Sequence, residues 1–178
     1  MSNARWILVA LVASVALPAC GSDANKDEGP SYEITDQALQ GKINGEDWKF
    51  VSGYAEDKFG DGELWIELHP SDPTDGDPCG FSPFDSEPHI IVSGKAEEVD
   101  ESLSLANNIT FTYGEAENDI STKGRLVIDT VTDSKIGGGL YAEFSDSSGS
   151  VTDKVDGNWE VQICTDDSGT GTNGGTAM

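Results

Sequence analysis

Over most of the chain's length, apolar and polar residues alternate with a period of two, the signature of strands with one buried face. Leu64, Ile66 and Leu68 alternate with Trp65, Glu67 and His69 until Pro70 stops the run. Beyond His89, Ile90 and Val92 take one face and Ile91 the other. Leu103 and Leu105 open a further run that Ile109, Phe111 and Tyr113 continue after Asn107-Asn108, a dipeptide suited to a turn or bulge. Leu126, Ile128 and Thr130 then alternate against Arg125, Val127, Asp129 and Val131. Leu140, Ala142 and Phe144 do so against Tyr141 and Glu143, and Trp159, Val161 and Ile163 against Glu160 and Gln162. Gly137-Gly138-Gly139 just ahead of Leu140 predicts a bend, a bulge or a close backbone approach.

Earlier in the chain the signals are local. Asn44-Gly45 lies between two extended runs, residues 39–43 and 48–54, and both residues accept the positive φ of a type I′ turn, so a hairpin is predicted. Glu46 and Asp47 leave room for a loop longer than two residues. Asp36-Gln37-Ala38-Leu39 fits a turn or two of helix, and residues 71–88, with four prolines, Phe81 and Phe84, read as a long loop with two aromatic plugs. About eight strands and no amphipathic helix remain once the first residues are set aside. Each strand must cover its apolar face, which leaves two packed antiparallel sheets or a closed barrel. An all-β antiparallel sandwich over residues 37–164 is expected, with a small lipocalin-like barrel as the alternative. Residues 165–178, rich in Thr, Gly, Asp, Asn and Ser, read as a disordered tail.

The N-terminus has the layout of a secretory signal: one positive charge at Arg5, an apolar run from Trp6 to Leu17, and small residues after it. That run is shorter than the about 20 residues of a membrane-spanning helix. A polar stretch follows, without aromatic or β-branched residues between Asp23 and Ser31, and residues 20–36 read as a flexible acidic tether. Leu17-Pro18-Ala19-Cys20 resembles the lipobox of bacterial lipoproteins. The resemblance implies removal of residues 1–19, diacylation of the Cys20 sulfur with chains such as palmitate, and acylation of its new amino group. Gly21, rather than Asp, implies sorting to the Gram-negative outer membrane, on its periplasmic face or at the cell surface. Two or three acyl chains make such an anchor effectively permanent, since each buried CH₂ contributes about 0.8 kcal/mol.

Charge narrows the partners. Removing residues 1–19 takes away Arg5 and no acid, so nine Lys or Arg face thirty-three Asp or Glu. Nucleic acid is excluded as a partner, because its binding requires basic patches, and so is adsorption of the domain's own surface to anionic lipid. The remaining expected partners are the membrane through the anchor, and an envelope protein or glycan. With Cys20 committed to lipid, Cys79 and Cys164 are left to pair in an oxidising compartment, closing a loop of 85 residues. The chain-entropy model gives such a bridge about 4 to 5 kcal/mol. Free thiols or half of a metal site are the alternatives.

Candidate chemistry is sparse. Asp72, Asp75 and Asp77 supply hard oxygen donors for calcium, although the spacing is not that of an EF-hand loop, and the acids between residues 57 and 63 are a weaker set. His69 and His89, the only two histidines, flank the long loop, so their rings meet near Asp72 or Asp85 if their strands are neighbours, a donor set for zinc. They are also the only histidines for a nucleophilic triad, and no Gly-x-Ser-x-Gly elbow accompanies them. Among Trp48, Trp65 and Trp159, core packing is the default, with Trp65 the candidate for an exposed aromatic platform. Gly41-Lys42-Ile43-Asn44-Gly45 with Trp48, and the runs from Gly137 to Phe144 and from Gly157 to Cys164, resemble β-rich bacterial lipoproteins of uncharacterised activity. That resemblance implies a sandwich-like domain and no catalytic residue. Two classes follow: a non-enzymatic envelope module that binds or has a structural role, and a metal-assisted or carboxylate-based hydrolase.

Overall fold

The computed structural model describes residues 32–57, 60, 62–73, 76–79, 87–114 and 117–165. These form eleven strands: β1 (Gln40–Ile43), β2 (Glu46–Lys49), β3 (Ser52–Glu56), β4 (Glu63–His69), β5 (His89–Lys95), β6 (Val99–Ser102), β7 (Ile109–Thr112), β8 (Asn118–Ser121), β9 (Lys123–Val131), β10 (Lys135–Ser145) and β11 (Val151–Cys164). The protein is all-β, as the period-two pattern predicts. Its strands run in the order β6-β9-β10-β11-β3-β4-β5-β7-β8, with β1 added to β11 and β2 to β1. Every pairing between strands is antiparallel except β11 with β3. The sheet curls into a sandwich or half-barrel. At the curl, the Ser121 hydroxyl of β8 donates to the Glu143 carbonyl of β10 over 2.6 Å.

Strand β11 is the spine, because its 14 residues are long enough to serve two partners on one edge. Its first half pairs with β1 at Lys154 to Asp156, and its end pairs with β3 at Gln162 to Cys164. Leu64, Ile66 and Leu68 of β4, Ile90 and Val92 of β5, Phe111 of β7, Leu126 and Ile128 of β9 and Trp159 and Val161 of β11 all enter one core. They occupy the alternate positions that the sequence marks as apolar.

The hairpin forms with a two-residue loop, Asn44 at φ 52° and Gly45 at φ 77°, so Glu46 and Asp47 belong to β2 and not to a longer loop. The run expected over residues 48–54 breaks into β2 and β3 at Phe50-Val51, where Phe50 N–H bonds Leu39 and Val51 N–H bonds His69. The run expected to begin at Leu103 is a turn instead: the Ser104 hydroxyl accepts the N–H groups of Ala106 and Asn107, and Leu105 is 88% exposed. Residues 36–39 are not helical; Gln37 and Leu39 bond the backbone of Asn158.

Among the three glycines, the ladder between β9 and β10 shifts register between Gly137 and Gly138. A Cβ on Gly138 would sit 2.0 Å from the Val127 carbonyl oxygen, and one on Gly139 2.9 Å from Ile34. The second contact has a topological cause. Residues 32–36, the distal end of the expected tether, lie as a strap on the outer face of β9, β10 and β11. Tyr32 stacks on Tyr141 with centroids 5.0 Å apart, its carbonyl accepts from Arg125, and Thr35 bonds the Asp156 carboxylate through its backbone and its hydroxyl.

Candidate functional site

Strand alternation puts Trp65, Glu67 and His69 on the outer face of β4, opposite the core. The same face collects Tyr54, which lies opposite Glu67, and His89, which neighbours His69 on the adjacent strand. An outer face would ordinarily be wet, yet Glu67 is 5% exposed, His69 2% and His89 9%. Cys79, in the long loop between β4 and β5, is bonded to Cys164, whose register partner on β3 is Glu56, so the loop is fastened to this face. Ser71 and Glu87 bond across the neck of the loop at 2.7 Å.

On this face the polar groups form one cluster. Trp65 donates its indole N–H to Glu67 Oε1 at 2.7 Å, His69 Nε2 lies 3.3 Å from Glu67 Oε2, and the Tyr54 hydroxyl also bonds Glu67. Burial by itself would push the Glu67 carboxyl up; the bonds from His69, Trp65 and Tyr54, helped by the field of His89, outweigh it and hold the group at about 2. An ionised carboxylate only accepts, so His69 carries its proton on Nε2. His89 Nδ1 lies 3.0 Å from the Glu87 carbonyl, which likewise only accepts, so His89 is protonated on Nδ1. Burial, and then the Glu67 charge, push the Tyr54 phenol well above its ordinary range. The rings of Tyr54, His69 and His89 stack across β3, β4 and β5, with centroid distances of 6.4 and 4.9 Å.

A Glu–His pair of this kind is the orienting half of an acid–base system. In this setting, with His69 almost fully removed from solvent, the pair fixes tautomers and ties three strands together. A second buried acid has a comparable structural role. Asp153, 0% exposed, accepts the Asn44 N–H of the hairpin turn at 2.7 Å and the Thr152 hydroxyl at 2.8 Å. Its neighbour Tyr113 donates to Asp119 at 2.8 Å.

The candidates named from sequence fall as follows. Cys79 and Cys164 form the predicted disulfide, with Cα atoms 5.7 Å apart. The two histidines meet, but as stacked rings beside Glu67; among the described residues no group of three or more His, Cys, Asp or Glu is placed to hold a metal ion. Of the calcium set, Asp75 lies outside the described residues, Asp72 is exposed, and Asp77 Oδ1 accepts the Cys79 N–H at 3.0 Å. Asp85 and Cys20, the expected lipidation site, also lie outside the described residues. In the other acidic loop, the Asp57 carboxylate accepts the N–H groups of Gly60 and Gly62, stabilising its own turn. Trp65 is half-buried and tied to Glu67, while Trp48 and Trp159 belong to the core. Glu67, Tyr54 and Asp153 were not singled out by the sequence. The available signal for Glu67 was its place between Trp65 and His69 on one face.

No protein family, curated protein or solved structure matches the chain.

Proposed function

We propose that this chain is an extracytoplasmic module, held in the Gram-negative outer membrane by lipid on Cys20, that binds an envelope component and does not catalyse a reaction. The observation that carries the reading is the Cys79–Cys164 disulfide. Bridges of this kind persist in oxidising compartments. With two of the three cysteines paired, the third is Cys20, the last residue of Leu17-Pro18-Ala19-Cys20. Both facts fit export and neither needs an enzymatic role. The acidic surface fits a module kept apart from anionic lipid headgroups on a tether whose eleven residues between Cys20 and Tyr32 reach about 40 Å at full extension.

Mass spectrometry of the mature N-terminus tests the anchor. The expected product begins at Cys20 and carries two or three acyl chains, and Cys20→Ser is expected to leave a precursor that keeps residues 1–19. A mature chain with an unmodified Cys20 would remove the proposal. The hydrolase reading has one observation on its side, the Glu67–His69 pair. It requires that a hydrolytic activity be found and that Glu67→Gln abolish it while the fold survives.

A further inference from the structure

Where the curled sheet opens, between the end of β5 and the strands β6 and β9, lies a cavity of about 460 Å³. Its floor is apolar, made by Val99 of β6 with Leu126 and Ile128 of β9. Two features of its wall break the pattern of the strands that build it. Val99 and Glu101 stand opposite Ile128 and Leu126, so Glu101 occupies a core-side position where alternation calls for an apolar residue. It is half-buried, while Asp100 on the opposite face of β6 is taken up by Arg125 through two bonds of 2.8 and 2.7 Å. On the other wall, Gly94 is opposite Leu64 and therefore also faces inward. A Cβ there would be in ordinary contact with Ile128, 3.7 Å away, so any longer side chain would grow into the cavity. The absence of a side chain at position 94 and the inward carboxylate at position 101 together leave a hollow with an apolar floor and a negative wall.

The rim has the same sign. Glu97 joins Glu101 at the opening, while Glu63 and Lys95, cross-strand partners, stand together at its edge. Leu105, almost fully exposed, sits in the turn whose next three residues, Ala106, Asn107 and Asn108, also line the space. An apolar floor reached past carboxylates, with amides beside them, is complementary to a ligand with a positive head and a short apolar tail.

We infer that this opening is a binding site for a small organic ammonium compound, its cationic group held by Glu101 with Glu97, and its tail laid on Val99, Leu126 and Ile128. The inference deepens the binding role proposed above and rests on it for context only: an unmodified Cys20 would remove the anchor and leave this site standing, whereas failure of the titration below would leave the anchor untouched.

Hexylamine, hexanol and hexanoate share a tail and differ in charge, so they separate the parts of the claim. Each is titrated into the purified protein while its NMR resonances are followed. Hexylamine is expected to saturate shifts at Gly94, Val99 and Ile128, with hexanol at least about tenfold weaker, equivalent to about 1.4 kcal/mol, and hexanoate weaker still. Glu101→Gln should bring hexylamine down to the level of hexanol, and Gly94→Leu should block both, with the spectrum elsewhere unchanged. If Gly94→Leu does not fold, Glu101→Gln still decides. Equal binding of hexylamine and hexanol, shifts that spread over the acidic surface without saturating, or hexylamine affinity that survives Glu101→Gln would each overturn the inference.

Discussion

Glu67 sits at the meeting point of three donors, from Tyr54, Trp65 and His69, on a face that its own charge would ordinarily keep wet. Such a carboxylate makes folding depend on pH in a definite direction. Its folded value of about 2 lies below an ordinary value of 4.5. Ionisation therefore favours the folded state fully above about pH 4.5, and that contribution is lost as pH falls toward about 2, amounting to at most about 3 kcal/mol. Glu67→Gln keeps the shape but cannot accept from all three donors, so at pH 7 the variant should be less stable by about 1 to 3 kcal/mol. Because every other titrating group is common to both proteins, the difference in unfolding free energy between them should shrink as pH is lowered from 5 to 2. Urea unfolding followed by tryptophan fluorescence measures it. A difference constant across that range would show that Glu67 is not ionised in the way its bonds imply.

At the scale of elements, the structure shows which parts of a sequence carry their own instructions. Strands with a buried face, such as β4 and β5, declare themselves by alternation, and the Asn44-Gly45 turn by its need for positive φ. Strands β6 and β8 carry the sequences VDES and NDIS, too polar to reveal a face, and they form because β9 and β7 offer open edges. The buried cluster was legible only in part. His69 and His89 could be seen to flank the loop, whereas the bond from Tyr54 to Glu67 depends on the pairing of β3 with β4, which neither strand announces by itself. Gly139 shows the same dependence on distant chain. Nothing near it in sequence requires a glycine; Ile34, brought over β10 by the strap, does. Gly139→Val should therefore lift the strap more than it harms the sheet. Hydrogen exchange is expected to speed up at Leu39, whose N–H bonds Asn158 just beyond the strap, and at Thr35, whose N–H bonds Asp156, with little change at Val161 in β11. Equal loss of protection at all three would mean that the glycine serves the ladder of β10 and not the strap.

For the molecule as a whole, a surplus of acids opposes the compact state, and one covalent bond works against that opposition. The bridge from Cys79 to Cys164 limits the unfolded chain and fastens the loop between β4 and β5 to β11, so its loss should act twice. Cys79→Ser with Cys164→Ser is expected to reduce stability by about 2 to 5 kcal/mol. Part of that cost comes from the unfolded state and is insensitive to salt. The self-repulsion of the acidic surface is sensitive to it, because the Debye length contracts from about 10 Å at 0.1 M to about 3 Å at 1 M. Raising sodium chloride over that range should therefore raise the melting temperature of both proteins, and the gap between them should persist at 1 M. If salt closes the gap, the bridge acts mainly by holding like charges together; if it leaves the gap intact, the bridge acts through the chain it closes, the outcome expected for a loop of 85 residues.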